Sequence, residues 1–209
     1  MKLSYAICTH NEEESLLDLL NRIHLNKEEH DEVVILDDYS TSKITTDILS
    51  TQPNVHRNKL NKDYANHKNL LKSKCSGDYI FQIDADEYPT DTLFNNIKNI
   101  LSKNPNVDLF RVPRENYVTG IKNSHLAKWK WRLDNKSRIN YPDYQTRIFK
   151  NNKTIRWTRP VHEYITGHTS AANLPTNCEF DLIHTKTISK QEKNNNVYDT
   201  NYNTDGSIR

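Results

Sequence analysis

The sequence predicts an α/β fold in which a mostly parallel sheet is flanked by helices. Over the first hundred residues, short apolar runs alternate with segments whose apolar residues recur at helical spacing, which is the pattern of β-α-β units. After residue 105 this alternation ends, and strand-like runs separated by polar stretches indicate a smaller mixed C-terminal part. A chain of 209 residues can bury one core, so we expect one domain.

Each element of the first half has a local signal. The apolar runs predict strands at residues 3–8, 33–36, near 55, and 79–83. Helical spacing predicts helices, one that begins near Asn11 and others at residues 44–50, 64–74 and 90–101. Asn11 with Glu14 three residues later is typical of a capping box, and Thr90 is a typical N-cap.

The second half contains fewer regular signals. Strands are predicted at residues 108–113 and 180–184. The Lys- and Asn-rich residues beyond about 190 predict a polar tail with a short helix that frays. No repeat or linker divides the chain, so we expect one domain over residues 1–190 and a tail over 191–209.

Composition excludes several classes of protein. The chain has 29 basic and 27 acidic residues, a formal net charge of +2, which argues against a dedicated nucleic-acid binder but allows a local basic patch. Its three cysteines are too few and too scattered for a disulfide framework or a zinc cluster. No apolar run has the length of a signal peptide core or a membrane span. We therefore expect a cytoplasmic protein, free or peripheral at a membrane surface.

Asp84 and Asp86 form the most informative motif. They are separated by one small residue and directly follow the apolar run 79–83, so they lie at the carboxyl end of a predicted buried strand. Ligands of open α/β sheets collect at that edge, and carboxylates there suit a hard divalent cation that bridges to substrate phosphates. The alternative is an ordinary acidic turn.

The chain has no phosphate-binding glycine loop. It contains only four glycines, and none follows the first predicted strand, so the dinucleotide-binding fingerprint and the P-loop are both absent. A protein of this class that handles nucleotide phosphates must neutralise their charge in another way. A metal ion held by Asp84 and Asp86 would do so.

Three motifs at predicted strand ends resemble those of family 2 glycosyltransferases of the GT-A fold: Thr9-His10-Asn11-Glu12, Asp37-Asp38-Tyr39-Ser40-Thr41 and Asp84-Ala85-Asp86-Glu87. Two later segments resemble a narrower branch, the lipopolysaccharide-core glucosyltransferase-like enzymes: Tyr141-Pro142-Asp143-Tyr144-Gln145-Thr146-Arg147-Ile148-Phe149 and Val161-His162-Glu163. The resemblance spans about residues 3–185. It implies a nucleotide-sugar-binding half over residues 1–104 and an acceptor half over residues 105–190.

The resemblance also implies a nucleotide-sugar donor, expected to be a UDP-sugar, and Mn²⁺ or Mg²⁺. The implied donor-binding residues are Thr9, Asn11, Glu12, Asp38, Lys68, Asn69, Asp84, Ala85 and Asp86. Asp38 would contact the base or ribose, and Asp86 would be the principal metal ligand, with Asp84 nearby. His162 resembles the late histidine that completes the metal shell in some members, and His184 is a second candidate. An ordinary core or surface role is an equal alternative for both histidines.

An inverting transfer needs a base for the acceptor hydroxyl on the face opposite the leaving group, as in inverting glycoside hydrolysis. We predict Asp143, because Arg147 four residues later would lie one helical turn away and orient its carboxylate. The alternative is a buried Asp–Arg pair that fixes a turn. Glu163 and Glu87 are the reserve candidates.

The segment from Gly120 to Asn140 is basic and aromatic and lacks the paired glycines of the nearest branch. We expect this part of the chain to border the acceptor, with these acceptor-binding residues: Trp129, Trp131, Tyr141, Gln145 and Arg147. Tryptophans stack on sugar rings, which favours a glycan or lipid-linked acceptor. Interleaved Trp and Lys or Arg also suit nucleic acid, so a modified DNA base is the alternative acceptor.

Two other function classes would use the same carboxylates. A nucleotidyltransferase or phosphoester hydrolase is one, but nucleotidyltransferases of this fold usually open with a glycine-rich basic loop, whereas residues 9–12 are acidic and glycine-free. A non-catalytic sugar-nucleotide binder is the other.

Tyr39 and Lys43 depart from the family pattern, which usually has a small residue and an acidic residue at these positions. We expect these changes to alter donor preference without removing the site.

Overall fold

A computed structural model describes residues 1–203 and 205–208 of the chain. Its strands are β1 (Leu3–Thr9), β2 (Glu32–Asp37), β3 (Val55–Arg57), β4 (Tyr79–Asp84), β5 (Glu87–Pro89), β6 (Leu109–Thr119), β7 (Asp143–Lys150), β8 (Arg156–Thr158), β9 (Tyr164–Thr166), β10 (Ala171–Asn173) and β11 (Leu182–Thr187). Its helices are α1 (Glu13–Asn26), α2 (Lys43–Ser50), α3 (Tyr64–Lys74), α4 (Asp91–Lys103), α5 (Asn123–Trp129) and α6 (Ile188–Asn201).

One large sheet organises the molecule. Its strand order is β3-β2-β1-β4-β7-β6-β11-β5, and β10 pairs with β6. The pairs among β3, β2, β1 and β4 are parallel, whereas β7 pairs antiparallel with both β4 and β6. Strands β8 and β9 form a separate antiparallel pair. The predicted α/β class is confirmed: β1 to β4 of the first half build the parallel part, and strands of the second half build the mixed part together with β5.

Between their end residues, the parallel strands β1, β2 and β4 are apolar apart from buried Ser4 and Gln82, because both faces of this sheet are covered. Along β1, Tyr5 and Ile7 face one core cluster, which contains the apolar side chains of α1 and α4. Ala6 faces the other cluster, which contains residues of α3 together with Trp157 of β8. This two-sided burial fixes where each strand ends, and therefore where the polar residues that follow the strands are placed.

Asn11 does not cap α1, so the predicted capping box is wrong. The N-cap of α1 is Glu12, which makes no side-chain cap hydrogen bond. Asn11 has a φ of 55°, and its Oδ1 accepts hydrogen bonds of 2.8 Å from the backbone amides of Thr41 and Ser42. The amide side chain therefore joins the loop after β1 to the loop after β2 and is unavailable to α1. Thr90 does cap α4, with its hydroxyl 3.3 Å from the amide of Leu93.

Asp143 and Arg147 do not lie one helical turn apart, because both belong to β7. Residues four apart in a strand are separated by about 13 Å, too far for one to orient the other. Asp143 instead pairs with Arg114 of the neighbouring strand β6. The apolar and aromatic residues between 141 and 149 follow a strand pattern that the two-residue argument overlooked.

Candidate functional site

The carboxyl ends of β1, β2 and β4 meet at one edge of the sheet. Thr9 lies beside Asp37, and Cys8 lies beside Asp84, in the parallel ladders. The loops that follow these strands therefore converge, as the carboxyl edge of an open α/β sheet requires. The Asp84 and Asp86 motif belongs to this edge, as the sequence predicts.

The loops after β1 and β2 are joined by hydrogen bonds. The amide of Asp38 donates to the carbonyl of Thr9 (3.0 Å), and the amide of Asn11 donates to Ser40 Oγ (2.9 Å). Asp38 Oδ1 accepts from the amide of Leu60 (2.8 Å). Three of the predicted donor-binding residues, Thr9, Asn11 and Asp38, are thus brought into one small region.

Asp84 and Asp86 have separate sets of partners. Asp84 is hydrogen-bonded by Arg147, and Lys68 Nζ lies 3.9 Å away. Burial opposes ionisation of Asp84, but these two cations outweigh it and hold its pKa well below the usual range. Asp86 Oδ2 lies 3.3 Å from His184 Nε2 and 3.2 Å from Lys190 Nζ. Ala85 between them is buried, so the turn packs against the core.

A chain of ion pairs, with Glu87 and Arg147 buried at its centre, runs from Asp84 to Asp143. Arg147 joins Asp84 to Glu87, with 2.8 Å between Arg147 Nη2 and Glu87 Oε1. The same Glu87 oxygen accepts from Arg114 Nη1 at 2.5 Å. Arg114 then donates to Asp143 Oδ2 from both Nε (2.9 Å) and Nη2 (2.6 Å). Arg147, predicted to bind the acceptor, is 3% exposed and lies inside this chain.

We expect Glu87→Ala to lower the free energy of unfolding by about 3 kcal/mol. Removal of one partner of a buried ion pair costs roughly 3–5 kcal/mol, and the lower end applies because each arginine keeps a second carboxylate. Urea unfolding measures the change, with Glu29→Ala, an exposed residue without an ion pair among the described residues, as control. A loss no larger than that of the control would show that the two arginines do not depend on Glu87.

The Asp143 carboxylate is held at both oxygens. Besides Arg114, Asn116 Nδ2 donates to Oδ2 (2.9 Å) and Gln145 Nε2 donates to Oδ1 (2.7 Å). Burial opposes ionisation, but Arg114 and these amides outweigh it, so the pKa of Asp143 lies below its ordinary value. Gln145, predicted to bind the acceptor, therefore also positions this carboxylate.

Asn116 determines which ring nitrogen of His184 donates a hydrogen bond to it. Its Nδ2 faces Asp143, an acceptor, so its Oδ1 faces His184 Nδ1 at 2.8 Å, and Nδ1 must donate. A neutral His184 then presents the lone pair of Nε2 to Asp86 Oδ2, 3.3 Å away. Two acceptor atoms so close need a proton or a cation between them. His184 is thus oriented as a metal-binding histidine usually is.

His162 has different surroundings. It is exposed, has a φ of 53°, and stacks on Tyr198 of α6 with 6.0 Å between ring centroids. Of the two candidate histidines, only His184 contacts Asp86 in an ion pair or hydrogen bond within the described residues.

Lys68 and Asn69 of α3 both contact the β8–β9 side of the molecule. Lys68 forms an ion pair with Glu163, the reserve candidate for the base, and its Nζ lies 4.6 Å from the centroid of the Trp157 ring. Asn69 exchanges hydrogen bonds of 2.8 and 2.9 Å with the backbone of Trp157. Lys68 therefore reaches Asp84, whereas the amide of Asn69 holds α3 against β8.

A cavity of about 390 Å³ adjoins His184 and Asp143. Its lining comes from β6, β7, β11, α6 and the segment after α5: Arg114, Asn116, Tyr117, Val118, Trp131, Ile139, Asn140, Pro142, Asp143, Tyr144, His184, Lys186 and Gln191. Trp129 lies 4.8 Å from Trp131 between ring centroids and stacks on His125. Tyr141 donates to Asp181 Oδ1 (2.8 Å) and lies beneath the guanidinium of Arg138.

The helix α6 closes this region; the sequence predicts a short helix here but not its contribution to the site. Lys190 Nζ lies 2.7 Å from Glu12 Oε2 as well as 3.2 Å from Asp86 Oδ2, so the last residue of the predicted domain, which no sequence pattern singled out, holds two predicted donor-binding residues. Arg114 and Asn116 were also missed. No local signal marks any of the three, because each contacts partners at least 27 residues away.

The sequence profile described as Glycosyl transferase family 2 matches residues 4–165, more than half of the chain. The chain belongs to this family. The match begins in β1 and ends in β9, so it includes the loops after β1, β2 and β4 and the strand that contains Asp143. No curated protein shows a significant match. The similarity to the lipopolysaccharide-core branch stays a prediction.

Solved structures place this family 2 chain beside GT-A enzymes in fold. TarS 1-349 of S. aureus in complex with UDP-GlcNAc has a TM-score of 0.60 and 17% identity, and the match covers 89% of this chain and 59% of that chain. TarS 1-349 in complex with UDP has a TM-score of 0.59 and 15% identity, with 88% and 60% covered. At such identities the likeness shows the fold alone. The chain spans less than two thirds of the length of these structures.

No helix in the described part of this family 2 chain is long and apolar enough to cross a membrane. The cytoplasmic location stays a prediction.

The residues at the sheet edge fit a divalent cation of the kind that the family resemblance implies. Adjacent ligands about 2.1 Å from such an ion lie about 3 Å apart, and Asp86 Oδ2 and His184 Nε2 are 3.3 Å apart. No group of three His, Cys, Asp or Glu side chains suited to a metal occurs among the described residues. The protein would therefore supply two ligands and leave the others to phosphate oxygens and water, as Mg²⁺ sites commonly do.

Proposed function

We propose that this protein transfers a sugar from a nucleotide-sugar donor, a UDP-sugar, to a hydroxyl of a glycan or lipid-linked acceptor, with inversion. The observation that carries the proposal is the contact of Asp86 with His184 at the sheet edge, next to a cavity that contains Asp143. A diphosphate site and a candidate base are then adjacent. Family membership supports the reaction class.

The donor side would use the loops after β1 and β2. Asp38, whose Oδ1 is fixed by the amide of Leu60 and whose Oδ2 lies 4.0 Å from His10 Nδ1, would contact the base or ribose. Thr9 Oγ1 is buried without a hydrogen-bond partner among the described residues, which supports a polar ligand nearby. Asn11 and Ser40 would keep these loops in place while the nucleotide binds.

The leaving group is a nucleoside diphosphate, and its negative charge must be stabilised as the glycosidic bond breaks. Asp86 and His184 would hold Mn²⁺ or Mg²⁺, which supplies this positive charge. Lys190 adds a second positive charge at the same oxygen of Asp86. Asp84, neutralised by Arg147 and Lys68, would orient the turn and the ribose.

Asp143 would accept the proton of the acceptor hydroxyl. Its lowered pKa keeps it ionised at neutral pH but also weakens it as a base, so we expect a contribution near the lower end of the usual range of about 10²–10⁴ in rate. Trp131, which lines the cavity, and Trp129 beside it would contact the acceptor. Arg147 would act on the acceptor side only indirectly, through Glu87 and Arg114, and Tyr141 would act through Arg138 of the basic segment. The two reserve candidates for the base are both paired with cations, Glu163 with Lys68 and Glu87 with Arg114 and Arg147.

A thermal-shift screen of nucleotide sugars with and without Mn²⁺ tests the proposal. A bound ligand at about a hundredfold excess over its Kd stabilises the folded state by about 2.7 kcal/mol, so a UDP-sugar that binds with Mn²⁺ should raise Tm. Transfer is then measured by release of UDP with candidate acceptors. Stabilisation by no nucleotide sugar, in either condition, would contradict the proposed donor class.

We expect Lys190→Ala to weaken UDP binding about tenfold, because a hydrogen bond between charged groups contributes roughly 1.5–3 kcal/mol. Lys193→Ala is the matched control, since Lys193 lies three residues later on α6 and is exposed. Isothermal titration with UDP and Mg²⁺ measures both variants. Unchanged or tighter binding by Lys190→Ala would mean that this lysine only attaches α6 to Asp86 and Glu12.

A further inference from the structure

Most charged groups around the cavity are neutralised by partners within the protein. Arg114 is shared by Asp143 and Glu87, and His184 contacts Asn116 and Asp86. Lys186 is different: it lines the same cavity, yet within the described residues its ammonium has no carboxylate within 4.0 Å and no hydrogen bond. It lies two residues after His184 on β11, so both side chains are on the same face of the strand.

The surroundings of the cavity are strongly basic. Residues 120–140 contain six Lys or Arg and one Asp, in a chain whose formal net charge is only +2. Arg138 pairs with that Asp134 and with Glu115. The others are exposed and have no carboxylate within 4.0 Å among the described residues: Lys122, Lys128, Lys130, Arg132 and Lys136.

Exposed lysines alone are ordinary surface residues, so the basic segment does not define a site by itself. The segment is part of a site because its residues Trp131, Ile139 and Asn140 line the cavity together with Lys186. The segment would create a positive potential over the entrance that attracts anions. Lys186 inside would then be the point at which one anionic group is bound.

We propose that the acceptor carries an anionic group, a phosphate or a carboxylate, which Lys186 binds in this cavity while the reacting hydroxyl faces Asp143. The inference rests on the proposed function, because it assigns the cavity to the acceptor. Lysine binds such groups as a point charge with three donors, which suits a phosphate on a flexible acceptor. A volume of about 390 Å³ fits the range of small-molecule pockets, so the cavity would hold one charged unit of the acceptor.

Inorganic phosphate is the probe, and NMR of the ¹⁵N-labelled full chain is the measurement. UDP and Mg²⁺ are added first, so that the donor site is filled, and phosphate is then titrated. We expect saturable shifts at the amides of Lys186 and Asn116 and at the Trp131 indole. Lys186→Met should weaken this binding about tenfold or more, Lys186→Arg should restore most of it, and Lys193→Met should leave it unchanged.

Each other outcome overturns the inference. The anion site would be refuted if phosphate did not shift the NMR signals of these residues, or if Lys186→Met bound phosphate as tightly as the unchanged protein. If UDP alone shifts the amide signal of Lys186 and phosphate causes no further shift, Lys186 binds the leaving diphosphate instead. Shifts near Asp86 on addition of UDP test the proposed function independently, so a chain that binds UDP but no phosphate refutes only the acceptor assignment.

Discussion

Asp86→Ala is expected to abolish measurable sugar transfer, with a loss of about 10³-fold or more. Removal of one group that stabilises a developing negative charge costs roughly 2.7–4 kcal/mol in other enzymes. Asp86 is expected to lose more, because its Oδ2 contacts both His184 and Lys190. The substitution would leave the His184 lone pair and the Lys190 ammonium without their shared partner. The measurements are UDP release with acceptor and the Mn²⁺-dependent part of the UDP thermal shift.

Asp91→Ala provides the matched control for this variant, because Asp91 is an exposed aspartate in the first turn of α4, outside the site. It should retain both activity and the Mn²⁺-dependent shift. Asp86→Asn separates charge from shape, since asparagine keeps the hydrogen-bonding oxygen but loses the negative charge. Normal Mn²⁺ titration curves in Asp86→Ala would show that Asp86 is not a metal ligand. Lys190 would then be the cation that pairs with the Asp86 carboxylate in the unchanged protein.

The parallel half of the fold could be predicted from local sequence because its strands are buried on both faces. Val33 to Leu36 is a continuous apolar run, Tyr79 to Ile83 is apolar except for Gln82, and the structure extends each by only one or two residues. The helix at 64–74 has the predicted bounds, which its N-cap Asp63 explains. The acidic pair was found for the same reason: a polar residue directly after a buried strand lies at the sheet edge.

The contacts that complete the site could not be predicted, because they join residues that are distant in sequence. Asp143 stays a predicted base, and its partner in the structure is Arg114 across the β6–β7 ladder, whereas helical spacing pointed to Arg147. Lys190 contacts Glu12 from 178 residues away. Sequence periodicity reports only how residues are spaced within one helix or strand. Both pairs join residues of different elements, so periodicity could not predict them.

Asp143→Asn tests the assignment of the base, and it should slow transfer by about 10²-fold while donor binding stays normal. Asparagine has the same shape and still accepts one hydrogen bond from Arg114, but it takes up no proton from the acceptor hydroxyl. UDP affinity should not change, because the side-chain partners of Asp143 are Arg114, Asn116 and Gln145, none of which is a predicted donor-binding residue. Single-turnover transfer and UDP titration distinguish the two effects.

Glu163→Gln is the informative comparison, because Glu163 is the reserve candidate and is also a carboxylate paired with a buried cation. If Asp143 is the base, Asp143→Asn should lose far more activity than Glu163→Gln, and a raised concentration of acceptor should not restore it. A larger loss in Glu163→Gln would transfer the role to that residue. Weakened UDP binding in Asp143→Asn would instead mean that Asp143 acts through Asn116 on His184, as a positioning residue of the metal site and not as the base.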